Sequence, residues 1–257
     1  MLLCIDIGNT NIVLGIFQDD KMLNHWRIRT ERDMTGDEVG ILINNLFMPT
    51  QLEVRSISDI IISCVVPPLL SGFKDFCLLY LNREAMIVGP GIETGMPIKY
   101  DNPKEVGADR IVNAVAAYQK YKTGLIVVDF GTATTFDYIS PEGAYEGGAI
   151  APGIILHSEA LFQKASKLPR VEIFAKPKAA VAKETISSIN SGLIYGYAGM
   201  VDGIVNRIKE EVRLDLTVIA TGGLAPLIKS EARSIDYLEE FLTLEGLRII
   251  FDLNSHG

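Results

Sequence analysis

The sequence predicts an α/β protein built twice over, in two similar halves that each carry a mixed sheet flanked by helices. Three observations carry that reading. The stretch CIDIGNTNIVLGI from Cys4 aligns without a gap on VVDFGTATTFDYI from Val127 when Asp6 is placed over Asp129, an offset of 123 residues in a chain of 257. β-Branched runs then alternate with stretches of helical apolar spacing in both halves. No Pro- or Gly-rich linker divides them, so they are expected to pack closely around a cleft. The boundary is expected within a helix over 107–121, giving domains 1–116 and 117–257.

In the first half, strands over 2–7, 11–17 and 21–29 form a meander. Asn and Gly in the first turn are read as residues that accept the positive φ a hairpin needs. A helix follows over 37–48, with Thr35 and Asp37 as candidate caps. The run DIIISCVV (59–66) suits a buried strand ended by Pro67 and Pro68, and a helix over 69–82 and a short strand at 85–89 complete the half. In the second half, LIVVDFG pairs with TTFDYIS, and GAYEGGAIAPG (143–153) continues into a third strand. Helices are expected over 153–166 and 184–212. The run 216–228 reads as strand, glycine turn and helix, and a last helix spans 236–250.

Composition excludes several classes. The net charge of −8 and the absence of a basic recognition helix speak against nucleic-acid binding, which needs clustered Lys and Arg to neutralise phosphates. No stretch approaches a membrane span, and Asp6 interrupts the first apolar run, so no signal peptide is expected. The three histidines are scattered, and the three cysteines (Cys4, Cys64, Cys77) form no CxxC pair. They read as reduced thiols, two of them buried, in a cytoplasmic protein.

The sequence has no GxxxxGK[ST] and no GxGxxG after a strand. Three glycine turns after strands remain: DIGNTN, DFGTATT and ATGG. The first two set backbone N–H groups and small polar side chains beside a carboxylate, which suits a phosphate and its counter-cation. The third, with Gly222 and Gly223, lacks a carboxylate and suits a nucleoside. Together they resemble the two phosphate motifs and the adenosine motif of the actin, Hsp70 and sugar-kinase superfamily. Further stretches narrow the resemblance to type III pantothenate kinases: TGDE (35–38), ISCVVP (62–67), VGADRIVNAVAA (106–117), EGGAIAPG (146–153), LPRVE (168–172) and KETISSINSGLIYGYAGMVDGIV (183–205).

That resemblance implies duplicated actin-like (ribonuclease H-like) domains and ATP-dependent phosphorylation of pantothenate, the first step of coenzyme A synthesis. It also implies a homodimer, Mg²⁺ and a monovalent cation, K⁺ or NH₄⁺. Asp109 then matches the catalytic base, while its place before an apolar helix pattern equally suits an N-cap. Arg110 matches a substrate contact, a bidentate partner for the pantothenate carboxylate; a surface ion pair with Glu105 or Asp101 is the plain alternative. Gly107 and Ala108 complete a substrate loop with them, and Tyr100 and Thr185 are further substrate contacts. Asp6, Ile7, Gly8, Asn9, Thr10, Asn11, Ile12 and Val13 form the ATP turn, joined by Thr132, Gly222 and Gly223. Asp129 matches the monovalent-cation ligand. Before Lys183, where the family carries glycine, this chain has Ala180, Val181 and Ala182. Gly192, Gly196, Gly199 and Gly203 recur on one helix face, as a close interdomain or dimer contact would require. A transcriptional accessory protein and another small-molecule kinase of the superfamily are the competing functions.

Overall fold

In the computed structural model, which describes residues 1–171 and 176–255, the apolar run Leu2–Ile7 forms β1, the middle strand of a five-stranded sheet. On one side β1 pairs antiparallel with β2 (Asn11–Gln18), which pairs with β3 (Lys21–Arg29). On the other it runs parallel to β4 (Asp59–Cys64), followed by β5 (Met86–Ile87). The second sheet repeats this order. β6 (Leu125–Phe130) lies between antiparallel β7 (Ala133–Ile139) and parallel β9 (Thr217–Thr221), with β8 (Tyr145–Pro152) and β10 (Tyr237–Leu238) outermost. Each sheet is mixed and flanked by helices, as the duplicated sequence predicts.

The duplication is not gapless. Ile7 faces Ile12 across the first turn, whereas Phe130 faces Thr134 across the second. The second loop is therefore one residue shorter, and the alignment slips by one after the turn.

Local sequence explains the helices of the first sheet. Thr35 caps α1 (Gly36–Phe47): its hydroxyl accepts from the Glu38 N–H, and the Glu38 carboxylate accepts from the Thr35 N–H, a reciprocal capping box. The prolines that end β4 open α2 (Pro67–Leu81), where a missing N–H leaves no intrahelical bond unmade. Leu3, Ile5, Ile7, Ile12, Leu14 and Ile16 turn one face of the sheet toward Val39, Ile43 and Phe47 of α1 and Leu69, Phe73 and Phe76 of α2. In the second sheet Ile126, Val128 and Phe136 share a core with Ile194, Ala198, Val201 and Val205 of α5 (Thr185–Val212). α4 (Ile154–Lys164) and α6 (Ala225–Lys229) complete that side.

The chain groups into two units. One joins Met1–Met96, Asn102–Ala116 and the segment from Leu242 onward; the other joins Pro97–Asp101 and Ala117–Phe241. The division falls inside α3 (Ala108–Tyr121). Two corrections follow for the C-terminus. Residues 237–238 form β10, so the last helix, α7 (Leu242–Ser255), starts later than 236. α7 also groups with the first unit, where Leu244 lies against Gly15 of β2 and a Cβ on Gly246 would overlap the Val112 carbonyl of α3. Glu172 of the LPRVE stretch and the last two residues lie outside the described residues.

Cys4 and Cys77 are fully buried and Cys64 is half-buried, all three free. Burial pushes the Cys4 thiol well up and the Cys77 thiol up to about 12. Since the thiolate is the reactive form, a disulfide reagent at pH 8 is expected to label at most Cys64 in the native protein and all three thiols in denaturant. Rapid native labelling of two thiols would contradict this packing.

Candidate active site

β1 ends on Asp6 and Ile7, and the chain turns back through residues 8–11. Gly8 N–H donates to the Asn11 carbonyl at 3.0 Å. None of the residues in this turn has positive φ, so the glycine is required for a different reason. A Cβ on Gly8 would lie 2.9 Å from that same carbonyl oxygen, inside contact distance. Asn9 and Thr10 are exposed and Gly8, Asn11, Val13 and Asp6 half-buried, so polar groups of the turn face solvent. Ile7 and Ile12 are fully buried in the core. Their side chains serve packing, and the Ile7 carbonyl accepts from the Val65 N–H at 3.0 Å.

Two residues outside the sequence motif complete this strand end. Thr30, just beyond β3, clamps the turn: its N–H donates to the Thr10 carbonyl at 3.0 Å and its hydroxyl to the Gly8 carbonyl at 2.7 Å. Ser63 on β4 stands in register with Asp6, fully buried, and its hydroxyl has no hydrogen-bond partner among the described residues. Next to it, burial raises the Cys64 thiol, and the negative charge of Asp6 adds to that rise. Neither residue carries a glycine or carboxylate signal; strand pairing brings Thr30 to the turn and Ser63 to Asp6.

The predicted substrate loop opens α3. Asp109 is the second residue of the helix and not its N-cap, and its carboxylate accepts from the Arg110 N–H at 2.8 Å. Its carboxylate stands in the first turn of α3, where the helix leaves its N–H groups without intrahelical acceptors. Gly107 precedes it, and a Cβ there would lie 2.6 Å from Asp109 Oδ1. Arg110 is only 8% exposed, and the Glu105 carboxylate accepts from the Asn102 amide at 2.7 Å.

In the second unit two predicted residues, Asp129 and Gly222, come together. Asp129 is the register partner of Thr221 across β6 and β9, and Gly222 follows with φ +94. A Cβ on Gly222 would lie 2.7 Å from Asp129 Oδ1 and 2.7 Å from the Phe130 carbonyl. The backbone thus stays close to the carboxylate without a side chain between them. Thr132 sits in the turn after β6, its carbonyl accepting from the Gly153 N–H at 2.9 Å. Gly223 continues the turn that leads into α6. Among the described residues no three His, Cys, Asp or Glu side chains cluster as a metal site. A cation at Asp6 or at Asp129 would take its remaining ligands from phosphate and water oxygens, as oxygen-liganded ions commonly do.

Tyr100 is half-buried and belongs to the second unit. Thr185 is exposed at the first residue of α5, after Glu184. The four glycines of α5 meet open space: a Cβ on Gly192, Gly196, Gly199 or Gly203 would have nothing within 4 Å. Among the described residues no close backbone contact accounts for them. No helix among the described residues is long and apolar enough to cross a membrane.

The repeated sheet order defines the fold. The inorganic polyphosphate/ATP-glucomannokinase of Arthrobacter sp. strain KM matches with a TM-score of 0.53 at 14% identity, over 100% of this chain and 99% of that one, so the fold is that of the actin-like sugar kinases. The type III pantothenate kinase family matches residues 2–207. Proteins named type III pantothenate kinase from Syntrophus aciditrophicus (strain SB) and Syntrophobacter fumaroxidans (strain DSM 10017 / MPOB) are each 60% identical over 255 residues. Those matches cover 99% of this chain and 100% and 99% of the two relatives. The chain belongs to the type III pantothenate kinase family.

Gly222→Ala is expected to lower stability by about 1–3 kcal/mol in urea denaturation, because a left-handed φ is combined with a clash on Asp129. Unchanged stability would mean that the turn relaxes freely and does not frame Asp129.

Proposed function

We propose that this protein transfers the γ-phosphoryl group of ATP to the terminal hydroxyl of pantothenate, forming 4'-phosphopantothenate in the first step of coenzyme A synthesis. The observation that carries this reading is full-length membership of the type III pantothenate kinase family by a chain that keeps a half-buried carboxylate at the start of α3.

Asp109 acts as the base. It orients the attacking hydroxyl and takes its proton as the new P–O bond forms and the β–γ bridging bond breaks. Arg110, with Gly107 and Ala108, binds pantothenate, its planar guanidinium suited to the carboxylate. Tyr100 and Thr185 are further substrate contacts. Residues Asp6 to Val13 hold the ATP phosphates through main-chain N–H groups and the side chains of Asn9, Thr10 and Asn11, while Thr132 holds phosphate and Gly222 and Gly223 the nucleoside.

Asp129 would hold a monovalent cation, K⁺ or NH₄⁺, and Asp6 would hold Mg²⁺ or its water. When bound, these ions offset the charge that builds on the phosphoryl oxygens. The open space beside the α5 glycines supports a homodimer whose partner covers that face, and the reduced thiols suit the cytoplasm. Nothing favours the regulatory alternative in a chain of net charge −8.

ADP release should depend on pantothenate, run faster in K⁺ than in Na⁺, and fall at least about 100-fold in kcat in Asp109→Asn. Pantothenate-independent turnover would overturn the substrate reading, and equal rates in K⁺ and Na⁺ would remove the role given to Asp129.

A further inference from the structure

The segment 97–101 carries Tyr100, yet it belongs to no strand or helix. Its placement depends on Tyr145 of β8. Tyr145 N–H donates to the Pro97 carbonyl at 2.9 Å, and Lys99 N–H donates to the Tyr145 carbonyl at 2.8 Å, a parallel bridge centred on Ile98. The Tyr100 ring lies 6.3 Å from the Tyr145 ring at 53°. It also covers Gly147, whose φ is +118 and whose Cβ, if present, would touch the ring at 3.5 Å.

Tyr145 is in turn fixed from behind. It is fully buried, and its hydroxyl donates to Asp137 Oδ1 at 2.6 Å. The Thr135 hydroxyl donates to Asp137 Oδ2 at 3.0 Å. Asp137 is 1% exposed on β7, a site where a carboxylate is costly unless hydrogen-bonded. β8 carries a bulge at this point: Tyr138 faces Gly147 while Ile139 faces Tyr145, which leaves Glu146 as the extra residue. Such a bulge re-aims side chains. Tyr145 remains in the interior, and the Glu146 carboxylate meets Lys99 Nζ at 2.8 Å on the outside.

We infer that the buried Asp137–Tyr145 pair is a positioning device for the substrate-binding segment, holding Tyr100 in place through the β8 bulge. This rests on the reading of Tyr100 as a pantothenate contact. Asp137 thus bonds to a strand residue whose N–H and carbonyl hold the segment at Pro97 and Lys99. Asp137 and Tyr145 are positioning residues, since both act on substrate through Tyr100.

The test uses full-length protein with Tyr145→Phe, which keeps the ring and main chain, and Asp137→Asn, which keeps an oxygen to accept from Tyr145. Steady-state kinetics is combined with amide exchange at Lys99 below the melting temperature. Tyr145→Phe is expected to raise KM for pantothenate by about three- to tenfold, with KM for ATP unchanged and Lys99 exchange faster by about the same factor. Asp137→Asn should lie between wild type and that variant. Equal rises in both KM values, or wild-type exchange at Lys99 in both variants, would overturn the inference. Should wild type fail to turn over pantothenate, the substrate reading falls alone, and exchange at Lys99 still decides the positioning role.

Discussion

Everything chemical in this chain depends on a change of strand direction at the centre of each sheet. β1 has an antiparallel neighbour on one side and a parallel neighbour on the other, and β6 repeats the arrangement. The parallel neighbour ends beside it and the antiparallel one leaves from it, so the carboxyl end of the middle strand opens onto loops. That is where α/β sheets bind ligands. Asp6 and Asp129 are the last residues but one of those middle strands. A carboxylate anywhere else on β1 or β6 would point into a packed core.

The glycines around these strand ends are explained by space more than by φ. Gly8 has ordinary backbone torsion and gives way to a carbonyl of its own turn, whereas Gly222 needs both a left-handed torsion and room beside Asp129. Main chain held this close leaves no room for a side chain in the turn, and the Gly8 N–H is taken up by the Asn11 carbonyl. The polar groups that fix the turns come from neighbouring strands: Thr30 after β3 in one unit, and in the other the Gly153 N–H before α4.

Much of this was legible in the chain itself. A β-branched run and a polar glycine turn are local features, and so is Thr35 ahead of α1, which is why most strands and helices stand near where the pattern put them; Asp37, the other candidate cap, lies inside α1, and Thr35 pairs with Glu38 instead. What was not legible depended on pairing between distant residues. The one-residue slip between the repeats lies in loop length, which only the register of Ile12 and Thr134 reveals. Ile7 and Ile12 fall inside a nucleotide motif, yet their apolar side chains answer to the core. α7 follows the second half in sequence but packs on the first sheet, because its apolar stripe of Leu244, Leu247 and Ile250 covers a face left open there. Thr30, Ser63 and Asp137 are short polar residues in strands or at their ends, and nothing in the local pattern sets them apart from ordinary surface positions.

Phosphorus NMR of ATP, Mg²⁺ and pantothenate with the protein in K⁺ buffer follows the γ phosphorus itself from donor to acceptor. The account predicts that the γ resonance of ATP is replaced by one phosphomonoester coupled to methylene protons, with an equal amount of ADP. Inorganic phosphate in place of that ester, or no change in ATP, would contradict it.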